Sequence, residues 1–319
     1  MKKLVSLVVG PVAAALLCVA SLSPSYATPT TVYVSSGGNN TNPCTVALPC
    51  RGIGYAAGFV AGNGGTVICL DAGPYTEGGF ATGASYTLDC RGVVYSSGSL
   101  FAIGTFPGTA PVVTIRNVIF DGSAGGAGAF QVTGGRVVFE NCTFQNFTAS
   151  PGEAVQFAPT VAGAHLTITD SVFANNGIAG SGGGIIIQPA AGITAGAVIE
   201  RTQVTGNTYG IAASSTGGGT SLVEVRYSTI ANSANDGIFA VTSGSTVSIV
   251  LEHSASVRNG GNGSNAINAG AYVSLSDSTV AWNATGLATS GGGLILSYKN
   301  NIIAGNLSPG VTPLSFNLQ

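Results

Sequence analysis

Charge is what this sequence lacks most. Charged side chains make up 7% of its 319 residues, against about 25% in an average soluble domain. Ten Lys and Arg stand against twelve Asp and Glu with no basic cluster, which excludes nucleic acid as a partner, because a phosphate backbone is held by grouped cations. Beyond Ala20 no apolar run reaches the length of a membrane span. The patterns G-x-S-x-G and H-E-x-x-H of nucleophile and metalloprotease sites are missing, as are calcium-binding nonapeptide repeats. Cys, His and carboxylates show no metal-ligand spacing, so neither a metal nor any other cofactor is implied. The glycine clusters at 182–184 and 217–219 do not join a strand to a helix as a phosphate loop does, and they read as turns.

What is there begins with a leader. Lys2 and Lys3 precede an apolar run from Leu4 to Ala20 and the small-x-small triplet Ser25-Tyr26-Ala27, the pattern of a signal peptide over 1–27. Its removal leaves a mildly acidic chain bound for the periplasm or the exterior, with no membrane insertion. Cysteine usage agrees with an oxidising compartment. Cys44 and Cys50 bracket a short loop, while Cys69 and Cys90 are 21 residues apart, about one turn of a solenoid. Stacked strands lie roughly 4.8 Å apart, within the separation a disulfide accepts. The expected bridges are Cys44–Cys50 and Cys69–Cys90, with Cys142 a buried structural thiol.

The apolar residues, 45% of the chain, fall in a repeat. Eight segments share one inside-outside pattern: VTIRNVIF at 113, VVFENCTF at 137, LTITDSVF at 166, AVIERTQV at 197, VEVRYSTI at 223, IVLEHSAS at 249, VSLSDSTV at 273 and LSYKNNII at 296. Their starts are 24, 29, 31, 26, 26, 24 and 23 residues apart, the signature of a solenoid. First and third positions are apolar, from Val113 and Ile115 to Leu296 and Tyr298, as in a half-buried strand. The eighth is a second inward column through Phe120, Phe144, Phe173, Val204, Ile230, Ser256, Val280 and Ile303. Between them Asn117, Asn141, Asp170, Arg201, Tyr227, His253, Asp277 and Asn300 mark a tight turn.

A second corner follows at Asn146, Asn176, Asn207, Asn232, Asn259, Asn283 and Asn306. Pairs of a small and an apolar residue then open a third strand, from Ala129-Phe130 through Ala266-Ile267 to Gly286-Leu287. The prediction is an all-β, three-sheet parallel β-helix. An N-terminal cap and first turns occupy 28–110, regular repeats 111–306, and a C-terminal cap or tail 307–319.

These repeats, with the segments VYVSSGGNNTNPC, GGTVICLDAGPY and LDCRG, resemble the secreted right-handed parallel β-helix proteins of the pectin lyase-like superfamily. The resemblance covers roughly 30–310. It implies a right-handed coil and an N-terminal capping helix, matched here by 51–62 with Ile53, Ala56, Ala57 and Val60 at helical spacing. Superfamily enzymes that cleave acidic polysaccharides group carboxylates outside the strand with the small-apolar pair. Here that outward column reads Gln131, Gln156, Ile186, Ala212, Phe239, Asn268 and Ala288, without charge. The flanking Glu153 and Asp236 lie three repeats apart, about 14 Å by strand spacing and too far to act on one bond.

Two charged columns remain. The outward fourth position, Arg116, Glu140, Thr169, Glu200, Arg226, Glu252, Ser276 and Lys299, reads as an ion-pair ladder joining Arg116 to Glu140 and Arg226 to its two Glu neighbours. In the turn column, Arg201, Tyr227, His253 and Asp277 occupy successive turns and read as a surface ladder, the alternative being that the stacked Tyr, His and Asp relay a proton. His165, beside a Gly-rich loop, reads as solvent-facing. The expected function is a non-catalytic scaffold binding an extracellular polysaccharide or cell-surface glycan through Gln131, Gln156 and Asn268. The resemblance alone implies a polysaccharide lyase or glycoside hydrolase instead; the catalytic candidates for it, Tyr227, His253 and Asp277, come from the turn column. A structural envelope or matrix protein is a third reading.

Overall fold

The computed structural model describes residues 30–60, 64–77, 81–96, 101–104 and 110–315; the leader at 1–27 lies outside them. The chain winds through three parallel sheets of 12, 10 and 10 strands; the first two strands are neighbours in one sheet, and from the second onward the chain returns to each sheet at every third strand. This is the three-sheet β-helix that the repeat predicts. Each strand buries one edge of its alternation: Val113 and Ile115 stack on Val137 and Phe139, and these on Leu166 and Ile168, all at most 1% exposed.

Phenylalanines fill the early core. Phe120, Phe144 and Phe173 stack along the axis with ring centroids 5.3 and 4.6 Å apart, and Phe130 meets Phe120 edge-on at 4.9 Å. A fully buried ring contributes about 1.5–3 kcal/mol and a good ring pair about 0.5–1.5 more. Later rungs replace Phe by Val204 and Ile230. The helix Ile53–Val60 closes the N-terminal end with Ile53, Ala56, Ala57 and Val60 buried, covering strand edges that would otherwise template association. Cys44–Cys50 and Cys69–Cys90 are both bonded, with Cα atoms 4.6 and 4.7 Å apart.

The first corner is left-handed at every position of the turn column from Asn117 to Asp277. Its last member is Lys299 and not Asn300, because the final segment carries one extra turn residue: Val273 pairs with Ile295, yet Val280 pairs with Ile303. Ile295 and Ser297 are therefore the inward pair, at 2% and 5% exposure, while Tyr298 is exposed. One residue on, Cys142, Ser171, Thr202, Ser228, Ser254 and Ser278 form a buried ladder in which the backbone N–H groups of Cys142, Thr202, Ser228 and Ser254 each meet the next hydroxyl, as from Ser228 N to Ser254 Oγ at 3.1 Å. Cys142 occupies the first step, and burial pushes its thiol up to about 12.

The second asparagine row resolves into two. Asn146 and Asn232 take the outward left-handed position that Asn175, Arg258 and Trp282 occupy in other rungs. Asn176, Asn207, Asn259, Asn283 and Asn306 point inward. Asn176 Nδ2 donates to Asn207 Oδ1 and Asn259 Nδ2 to Asn283 Oδ1, both at 2.9 Å. The small residue that opens the third strand follows from this ladder, because a Cβ on Gly237 would lie 2.4 Å from Asn259 Nδ2.

The charged column holds the expected register from Arg116 to Ser276, while Lys299, expected as its last member, stands in the turn column instead, and its ion pairs form elsewhere. Arg116 donates to Asp89 of the preceding rung at 2.9 Å, Arg226 lies 3.7 Å from Glu224 on its own strand, and Arg201 in the turn column binds Asp170 at 2.7 Å. That hydrogen bond holds the Asp170 carboxyl below its ordinary range. Among the described residues no helix is long and apolar enough to cross a membrane.

Candidate functional site

The outer face of the third sheet carries a groove in which the buried carboxyl of Glu153 meets the half-buried rings of Tyr209 and Phe239. It spans four strands, Glu153–Phe157, Gly183–Ile187, Tyr209–Ser215 and Ile238–Thr242, about 14 Å along the axis by strand spacing. Three outward columns build it. The central one runs Gln131, Gln156, Ile186, Ala212 and Phe239. Register continues that column to Asn265 and Ala288, which corrects the place given to Asn268. The pair Ala266-Ile267 imitates the small-apolar signal, but Ile238 pairs with Ser264, so a buried hydroxyl stands where the repeat has an aliphatic side chain. Asn268 lies beyond the strand in a left-handed conformation, its Nδ2 donating to Thr242 O at 2.7 Å.

Small side chains make the depression. Ala212 and the segment Gly180, Ser181 and Gly182 sit between larger neighbours, leaving about 230 Å³ lined also by Glu153, Ile186, Gln188, Tyr209, Ser214 and Phe239. The Tyr209 and Phe239 rings pack 5.5 Å apart at one end. Before the other end, Gln131 donates to Gln156 Oε1 at 2.7 Å. Glu153 is 8% exposed, its Oε2 has no hydrogen-bond partner among the described residues, and desolvation raises its pKa. Asp236, three rungs away in the same column, is instead saturated: it accepts from Asn262 N, Asn262 Nδ2 and Asn265 Nδ2 at 2.7, 2.8 and 2.9 Å.

The turn column brings its three candidates together. Tyr227 and His253 stack with centroids 4.9 Å apart, and His253 Nε2 lies 3.0 Å from Asp277 Oδ2. No depression encloses them: Tyr227 is 56% exposed, and the His253 and Asp277 side chains are 42% and 57% exposed. A larger, open depression of about 350 Å³ lies on the first sheet over Gly196, with His165, Leu222 and Glu224 on its rim. His165 is half-buried there, and desolvation and the nearby Arg136 lower its pKa. No group of three His, Cys, Asp or Glu placed to hold a metal occurs among the described residues.

Tyr209, Gln188 and Ser214 escape a reading of the sequence by columns, because they belong to the two columns flanking the central one. The signal was present in the run of small outward residues between Glu153 and Phe239. A family model described as a right handed beta helix region matches residues 91–224. The curated proteins give no sequence match. Among solved structures the chain is similar to a pectate lyase at 15% identity and a TM-score of 0.42, covering 92% of this chain and 78% of that one. It is also similar to the A-module of an Azotobacter vinelandii mannuronan C-5 epimerase at 15% identity and a TM-score of 0.39, covering 83% and 93%. The Dettilon tailspike protein aligns at 13% identity and a TM-score of 0.47, covering 84% of this chain and 61% of its own. The likeness is of architecture.

Proposed function

We propose that this right-handed β-helix is an exported scaffold that binds a neutral or weakly charged glycan along the outer face of its third sheet and does not cleave it. The observation that carries the reading is the groove between Glu153 and the Tyr209–Phe239 pair. An aromatic face takes the apolar side of a pyranose, while amides and hydroxyls at Gln131, Gln156, Gln188, Ser214 and Asn265 take its hydroxyl groups. Export is supported by the leader and the two disulfides. Binding without cleavage is supported by the carboxylates: glycoside hydrolysis uses two within about 5–10 Å, whereas Glu153 is the only acid lining this groove.

The test is affinity electrophoresis through a panel of soluble neutral and acidic polysaccharides, with product assays for new reducing ends and unsaturated sugars. Retardation by a neutral polymer, weakened by joint substitution of Gln156 and Asn265 and not of Asn268, supports the reading. Product formation that dies with His253→Ala would move the function to the turn column.

A further inference from the structure

We infer that Glu153 makes the third-sheet groove selective for a sugar bearing a free primary amine; this rests on the glycan reading above and names the class of glycan. A carboxyl group buried without a partner costs several kcal/mol in its ionised form, and proteins normally supply a cation or several donors. Glu153 has neither. It is 8% exposed, its Oε2 has no hydrogen-bond partner among the described residues, and no Lys, Arg or His lines the groove with it. Its rung neighbours in the column, Gly128 and Gly183, bring no side chain.

The burial is built by the backbone. The backbone at 182–183 is pressed between the rungs on either side: a Cβ on Gly182 would lie 2.2 Å from Pro151 O of the preceding rung, and one on Gly183 would lie 2.2 Å from Tyr209 O of the following one. Glycine there lets the loop pack on the Pro151–Gly152 backbone beside Glu153, while Gly180, Ser181 and Gly182 line the groove with it.

Three kinds of sugar substituent can meet this oxygen. A hydroxyl gives it one hydrogen bond and leaves the ionised form uncompensated. A uronate sets a second carboxyl against it, and like charges at short range in a desolvated site are disfavoured. A protonated amine supplies both the donor and the opposite charge, so a charge-assisted bond, about twice as strong as a neutral one, replaces an unmet group. The Tyr209 and Phe239 rings at the far end favour the same ligand, since aromatic faces attract both pyranose rings and cations. Tyr209 is the only other titratable residue lining the groove.

The test compares oligosaccharides of equal length by isothermal titration: glucosamine, N-acetylglucosamine, glucose and galacturonic acid oligomers, at a pH where the amine is protonated. Glucosamine oligomers are expected to bind at least about tenfold tighter than the acetylated and neutral ones, a difference of about 1.4 kcal/mol, and galacturonate oligomers weakest. The near-isosteric Glu153→Gln, checked for an unchanged circular dichroism spectrum, is expected to abolish that preference while Phe239-dependent binding of the neutral oligomers persists. Equal binding of the amine and acetylated forms, or a preference that survives Glu153→Gln, overturns this inference and leaves the glycan reading standing. Failure of all four oligomers to bind overturns both.

Discussion

The Phe239 ring packs against that of Tyr209 at 5.5 Å and 37°, two outward side chains from adjacent rungs on a face shared with Ile186 and the amides of Gln131, Gln156 and Gln188. Neither ring is needed to fill the core, so the pair is surface offered to something. Phe239→Ala should therefore lower the affinity for a retarding polysaccharide about tenfold while shifting the unfolding midpoint little. Titration of the purified variant against that polymer, with a thermal melt alongside, measures both.

Asn207 carries more stability than its chemistry suggests. It accepts from Asn176 N and Asn176 Nδ2, both at 2.9 Å, and donates to Phe173 O at 3.0 Å, all buried. Asn207→Ala removes the partner of Asn176 N and of Phe173 O, while Asn176 Nδ2 keeps Phe144 O, and at about 1–3 kcal/mol for each of the two unsatisfied buried groups the expected loss is about 2–6 kcal/mol in a urea titration. Asn232→Ala, on the exposed outward row, should cost about 1 kcal/mol, chiefly for placing alanine in a left-handed turn. Equal losses at the two sites would mean that the inward ladder contributes nothing special.

Glu153 gives the fold a pH dependence of definite sign. Burial raises its pKa, so the unfolded chain releases this proton in the ordinary carboxylate range, near 4.3, while the folded chain holds it to higher pH. Between those two points the unfolded state binds fewer protons, and this group's contribution to stability falls as pH rises. Glu153→Gln should accordingly stabilise the protein by roughly 1 kcal/mol at neutral pH, and the gain should vanish below about pH 4. Paired melts of wild type and variant across that range decide it.

The Tyr227–His253–Asp277 stack should prove to be surface. Exposed pairs of this kind are worth about 0.2–1 kcal/mol, so His253→Ala should change stability by no more than about 1 kcal/mol and leave polysaccharide binding unaltered. A tenfold loss of binding, or of any product-forming activity, would show a function for the column.

Much of this was legible in the sequence because a solenoid writes its inside and outside as columns. Val113 and Ile115, or Phe120 and Phe144, needed no three-dimensional information to be called core. The columns failed where a local substitution imitated the signal. Ser264 fills an aliphatic position while Ala266-Ile267 lies three residues on, so Asn268 took the place of Asn265. The extra residue in the last turn likewise put Leu296 and Tyr298 inside in place of Ile295 and Ser297. The two asparagine rows merged because inward and outward corner residues are adjacent and of the same type. The groove itself was hidden for a different reason: it is made by what Ala212 and the glycines at 180 and 182 omit, across columns that sequence spacing treats as separate.

Hydroxyl-radical footprinting of the protein with and without a saturating, retarding polysaccharide tests the central claim most directly. Tyr209 and Phe239 should lose most of their oxidation rate when the glycan is bound, while the exposed Tyr227 and Trp282 keep theirs. Protection at Tyr227 or Trp282 with none at Tyr209 and Phe239 would contradict the third-sheet site.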